Sequence, residues 1–214
     1  MSHRSSALKL PDVSGGRRFY VQNMKGAVLK ARVAFIEEHF GKDGVQKVLD
    51  RLDKTDRAAL ELILPIRWYP FELGERMDAA IVFALGNGDP RFFERLGSAS
   101  AERNLLSVHK GFLRPGDPHA FLRNAQVIFR TYYEIGRREY ESTGKTSAVL
   151  TTYDAEAFSA PDCLTIIGWH RKALEMCGAT GVEIRETQCR AKGGTVCRYE
   201  ISWNEISDSQ FARD

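Results

Sequence analysis

The segment Glu186-Thr187-Gln188-Cys189-Arg190-Ala191-Lys192-Gly193-Gly194-Thr195-Val196-Cys197 constrains this chain more than any other. Its Gly-Gly pair turns the backbone so that one cysteine folds back on the other. With Cys163 upstream, three soft sulfurs and one carboxylate become available, a donor set that completes a tetrahedral zinc shell. Such a shell is closed. It holds a fold together and leaves no open position for catalysis.

The flanking pattern says how these donors meet. Strands are expected over Val182 to Arg190 and Thr195 to Trp203, closing as a hairpin around Gly193-Gly194. With a three-residue turn, Cys189 lies opposite Cys197 on the face that carries Tyr199, Ile201 and Trp203. Strict alternation would put Val182 and Ile184 on the other face. A bulge near Thr187-Gln188 brings Val182, Ile184, Glu186 and Cys189 to the core side together. A carboxylate aimed inward needs a compensating charge, which Zn²⁺ supplies. Two plainer readings stand beside this one: a Cys189–Cys197 disulfide in an exported protein, or ordinary buried thiols packing as small hydrophobes. Cys177 reads as a core residue.

Between the strands and the rest of the chain, Ser159 and Asp162 have the spacing of a capping box, with Pro161 in the first helical turn. The helix they start runs to about Cys177 and presents Cys163, Ile166, Ile167, His170, Leu174 and Cys177 on one face. A further strand pair is expected from Arg137 to Ser142 and Thr146 to Thr152 across Thr143-Gly144. The first half is helical. Leu29, Val33, Ile36 and Phe40 recur at helical spacing from Gly26 until Gly41. Val45 to Leu52 and Ala58 to Leu64 mark short helices, the latter after a turn at Asp53-Lys54-Thr55. Trp68-Tyr69-Pro70 is an extended corner, and helices follow from Phe71 to Leu85, Pro90 to about Ser107 and Pro118 to Ile135. So many helices must pack on something else, and the C-terminal sheet is the available partner. The fold class expected is α+β, helices on an antiparallel sheet.

Composition excludes several functions. The net charge is +3 from 31 basic and 28 acidic residues spread along the chain, so a nucleic-acid-binding face gains no support. The nearest basic cluster, Arg137-Arg138 with Lys145, reads as solvated surface. No apolar run reaches the roughly 20 residues that span a bilayer, and Met1 to Gly16 is polar, without the apolar centre of a signal peptide. A reducing, cytoplasmic setting follows, where thiols stay available for metal. His109, His119 and His170 are single, without a nucleophile or carboxylate at a telling spacing. The doublets Phe92-Phe93 and Tyr132-Tyr133 cannot both face one stripe, so one of each is free for a ligand, a partner or the sheet, with core packing the default.

Cys163 and the Glu186 to Glu200 segment resemble the four-vinyl-reductase domain, the sensor module of phenol-responsive transcription activators. The spacing is similar: 23 residues from Cys163 to Glu186, three to Cys189 and eight to Cys197. The resemblance covers about residues 146–203, and in those sensors three cysteines and a glutamate hold a zinc. Lys25 through Trp203 also resembles a paralogous family abundant in myxobacteria, through Trp68-Tyr69-Pro70, Phe112-Leu113-Arg114-Pro115-Gly116-Asp117-Pro118 and Ile167-Gly168-Trp169-His170. The resemblance implies a fold related to the ligand-binding domains of nitric-oxide signalling and vesicle-tethering proteins, an apolar pocket, and dimers. One domain over residues 21–205 is expected, between a disordered tail at 1–20 and a C-terminal tail at 206–214. Three functions remain: a sensor that binds a small hydrophobic or aromatic molecule and signals through a partner protein, a dimeric scaffold of the same fold with no free ligand, and an enzyme. The first is favoured, the enzyme least.

Overall fold

The computed structural model describes residues 22–205 apart from 90, 108 and 156–158; the two tails expected at 1–20 and 206–214 lie outside the described residues. The fold is α+β. A short strand β1 (Asn23–Lys25) pairs antiparallel with β2 (Trp68–Pro70), which is the extended corner. Between them lie α1 (Gly26–Leu49) and α2 (Lys54–Glu61). The helices α3 (Phe71–Ala84), α4 (Phe92–Leu105), α5 (Pro118–Leu122) and α6 (Ala125–Tyr132) follow. The C-terminal part alternates β3 (Arg137–Gly144), β4 (Ser147–Tyr153), α7 (Ala160–Met176), β5 (Glu183–Gln188) and β6 (Cys197–Ser202). These strands form one antiparallel sheet in the order β3-β4-β6-β5.

Several boundaries follow the expected signals. Helix α1 leaves helical geometry at Gly41, so the run from Gly26 and the run through Val48 are two helices across a kink. Ser159 accepts a hydrogen bond from the Asp162 amide, which caps α7 as its spacing predicts. Other boundaries move. Asp53 is not in a free turn: its carboxylate accepts from the Asp56 amide, so α2 begins at Lys54, four residues before the expected start. The expected helix from Pro118 to Ile135 is two helices, because the chain turns at Arg123-Asn124 and the Asn124 amide bonds the Phe121 carbonyl. Phe40 is 39% exposed rather than part of the core stripe, whereas Phe35 and Arg32 are buried.

The closest packing is between α4 and α7. A Cβ on Gly97 would sit 2.1 Å from the Thr165 carbonyl oxygen, and one on Gly168 would sit 1.9 Å from that of Glu94. Only hydrogen fits at these two points, and it lets the helix backbones touch. The Ser98 hydroxyl adds a hydrogen bond to the Gly168 carbonyl at 3.1 Å. Both Phe92 and Phe93 are buried, because α4 is covered on two sides: Phe92 meets Phe35 and Phe40, so neither ring is left for a ligand. Helix α7 is therefore central, with α4 along one side and its Cys163 end reaching β6.

Candidate functional site: a thiol corner and a cavity on one helix

The bulge expected near Thr187-Gln188 is present, as a register shift between Glu186 and Gln188 on β5. It carries the chain past Gln188, which pairs with Arg198, into a tight turn at Arg190–Lys192. Two glycines close that turn. Gly193 has φ of 86°, a left-handed conformation, and a Cβ on Gly194 would fall 2.8 Å from the Cys189 carbonyl oxygen. The Gly194 amide donates to that same carbonyl at 2.8 Å.

The fold brings Cys163, Cys189 and Cys197 together, all buried, with their sulfurs within 4.8 Å of one another. Cys163 Sγ lies 3.8 Å from Cys197 Sγ and 3.7 Å from Cys189 Sγ. Sulfurs bound to one tetrahedral zinc at about 2.3 Å stand about 3.8 Å apart, so the spacing fits an ion. It does not fit a disulfide, whose sulfurs are about 2.05 Å apart, and all four cysteines are free. Cys177 is buried in the core, away from this group.

Glu186 flanks the sulfurs rather than joining their tight group. Its Oε2 accepts from Lys192 Nζ at 2.9 Å, and its Oε1 is buried without a partner. The thiols respond to their surroundings. Hydrogen bonding from Cys163 holds the Cys197 thiol down to about 7 against its burial, helped by the Arg190 amide that donates to Cys197 Sγ at 3.4 Å. That same contact, with burial, pushes Cys163 up. Burial and the nearby Glu186 carboxylate raise Cys189. Three clustered sulfurs beside one orphaned carboxylate oxygen form a donor set that suits a divalent cation.

The middle of α7 borders a cavity that the sequence did not mark. It lies among α1, α4, α6 and α7 and the start of β3, with a free volume of about 60 Å³. Its walls include Leu96, Ile128, Phe129, Ile166 and Trp169, with Tyr132, Tyr133, Arg32, Arg138 and His170 as the polar groups. His170 gives its Nδ1 to the Ile166 carbonyl at 2.9 Å, and burial holds its pKa down to about 3. The imidazole is thus neutral. Tyr132 bonds His109 Nε2 at 2.6 Å, and His119 is engaged by Tyr140 at 2.6 Å and the Lys145 carbonyl at 2.9 Å. All three histidines are satisfied, as their isolation in the sequence led us to expect, but His170 also borders the cavity. Of the tyrosine doublet, both rings line it.

Behind this cavity is a buried ion cluster. Arg32 donates to both oxygens of Asp78, at 2.5 and 2.9 Å, and reaches Asp162 Oδ1 at 3.5 Å. Tyr133 donates its hydroxyl to Asp162 at 2.9 Å. The Asp162 carboxylate therefore turns inward, and only the amide half of the expected capping box forms. Arg138 is buried too, at 4% exposure, against the reading of Arg137-Arg138 as solvated surface. The reason is strand alternation: on β3 Arg137 points out and Arg138 points in. That period was visible in the sequence; Arg32 and Asp78, single charged residues within helices, carried no comparable signal.

Solved structures that share this fold include H-NOX proteins. The Fe(II) unliganded H-NOX protein from K. algicida matches with a TM-score of 0.65 at 15% identity, over 85% of this chain and 97% of that one. An H-NOX protein from S. oneidensis in the Fe(II) ligation state matches at 0.64 and 13% identity, over 86% and 98%. A structure described as probing haem distortion in the H-NOX family matches at 0.65 and 12% identity, over 89% and 100%. At such identities the likeness is one of fold. Among curated proteins none matches this sequence. Residues 91–204, more than half of the chain and the part that holds α4, the sheet, α7 and all the cysteines, match the family described as "Protein of unknown function (DUF2378)", and the chain belongs to that family.

Proposed function

We propose that the chain is a non-catalytic sensory module of the four-vinyl-reductase type. A structural zinc ion held by Cys163, Glu186, Cys189 and Cys197 fixes α7 to the β5–β6 hairpin, and a small molecule occupies the cavity beside the same helix. The observation that carries this reading is the position of α7. Its first turn bears Cys163, and the next two turns bear Ile166, Trp169 and His170 on the cavity wall. A metal that sets the helix sets the cavity with it. Three thiolates and a carboxylate fill the zinc shell, which leaves no exchangeable water for hydrolysis. Such thiolates favour a reducing compartment.

Haem, named for one of the H-NOX structures, does not fit here. The cavity of about 60 Å³ falls far below the roughly 300–1,000 Å³ of pockets for drug-sized ligands. A scaffold function has one observation in its favour: Leu62 and Ile66 are 78% and 82% exposed and sit with Leu64 on one short loop. Native mass spectrometry of the reduced protein separates the two readings. The sensor predicts one zinc per chain and a retained or exchangeable small molecule on a single protomer or dimer. A ligand-free dimer that dissociates when Ile66 is changed to Asp would favour the scaffold.

A further inference from the structure

Among the described residues, the charged ones lining the cavity are both arginines, Arg32 and Arg138, and no carboxylate lines it. Arg32 is already matched, through two hydrogen bonds to Asp78 and a third to Asp162. Arg138 is not. Its Nε donates to Thr152 Oγ1 at 3.0 Å, the Phe129 ring lies 4.8 Å from its guanidinium, and its Nη2 is buried without a partner. Among the described residues no carboxylate forms an ion pair with it.

A buried cationic N–H with no acceptor is costly, and the planar guanidinium fork is shaped for a carboxylate. We propose that the cavity binds a small monocarboxylic acid, its carboxylate taking the free Nη2 of Arg138 and its apolar body lying against Leu96, Ile128, Ile166 and Trp169. This inference rests on the reading of the cavity as a ligand site. Size narrows the class. Scaled from an engineered apolar cavity of about 150 Å³ that holds the six carbons of benzene, the free volume of about 60 Å³ takes an apolar body of about two to three carbons, the chain of propionate or butyrate. A dicarboxylate is disfavoured, because the second cation on the wall is already paired with Asp78.

Calorimetric titration of the zinc-loaded protein with butyrate, and with butyramide and 1-butanol as neutral controls, tests this. Butyrate is expected to bind about tenfold or more tightly than either control, as a hydrogen bond to a charged group allows. Arg138→Met is expected to erase that preference, and Arg138→Lys to keep part of it. Should Arg138→Met fail to fold, magnetisation transfer from the butyrate methyl group to Trp169 and Ile166 protons in the unaltered protein replaces it. Equal binding of butyrate and butyramide, a butyrate preference that survives in Arg138→Met, or absence of the methyl contact would overturn the proposal. If 1-butanol or phenol binds and the acid does not, the proposal fails while the sensory reading stands. If none of these probes binds, the proposal fails, and native mass spectra without any retained molecule would then take the sensory reading with it.

Discussion

Asp162 and Cys163 are neighbours on the first turn of α7, and they tie it to different parts of the molecule by different chemistry. Cys163 faces the hairpin, where its sulfur meets Cys189 and Cys197. Asp162 faces the helical half, where its carboxylate meets Tyr133 and Arg32. The second tie is made by partners within the protein, all of them on Asp162 Oδ1, while its Oδ2 is buried without a hydrogen bond. The first is three sulfurs and a carboxylate oxygen, with nothing but thiol protons between them. One anchor is an ion pair and a hydrogen bond between side chains, whereas the other is a donor set suited to a metal. On the proposed zinc reading, the hairpin's attachment should depend on metal supply, and that of the helical half should not.

The sharpest way to break this contrast is to remove a sulfur. Cys189→Ser should lose its zinc and suffer a large fall in melting temperature, since the binding free energy of structural zinc, about 10–16 kcal/mol in small zinc-binding peptides, is folding free energy there. Chelator should reproduce the fall in the unaltered protein and add little in the variant; differential scanning calorimetry with and without chelator reads both. Next in size is Asp78→Ala, which strands the Arg32 charge at 1% exposure and should cost about 3–5 kcal/mol in denaturant unfolding. Any bound zinc should be retained at the same stoichiometry as in the unaltered protein.

A smaller effect separates the two anchors by pH. Burial, with the charge of Arg138, holds His170 neutral down to about 3, whereas an unfolded histidine titrates near about 6.5. Between those values the unfolded chain binds a proton that the folded chain refuses, so stability falls as pH drops through that window, by up to about 1.4 kcal/mol per unit. His170→Asn should flatten that slope relative to the unaltered protein in unfolding curves measured from pH 7 to pH 4. Smallest of all, Ser159→Ala removes the cap that positions both neighbours and should cost about 1 kcal/mol, with metal retained.

The two anchors also differ in how readily the sequence betrays them. Cysteines beside a Gly-Gly turn are rare enough to be noticed, and alternation of Val182, Ile184 and Glu186 against Cys189 demanded a bulge that the register confirms. The Arg32–Asp78–Asp162–Tyr133 cluster joins residues up to 130 apart, each ordinary in its own helix or turn. Nothing local distinguishes a charge that meets a partner across the core from one that meets water. The cavity was hidden for the same reason, since its walls come from segments as distant as Val28 and His170. Arg138 is the intermediate case: strand alternation placed it inward, but the adjacent Arg137 made the pair resemble surface. The break at Arg123-Asn124 went unmarked because neither glycine nor proline stands there.

X-ray absorption at the zinc edge, on reduced protein purified without added metal, reads the first shell directly. Three sulfurs at about 2.3 Å and one oxygen at about 2.0–2.2 Å would match Cys163, Cys189, Cys197 and Glu186. A shell of only oxygen and nitrogen atoms, or protein that carries no zinc at all, would contradict the metal anchor.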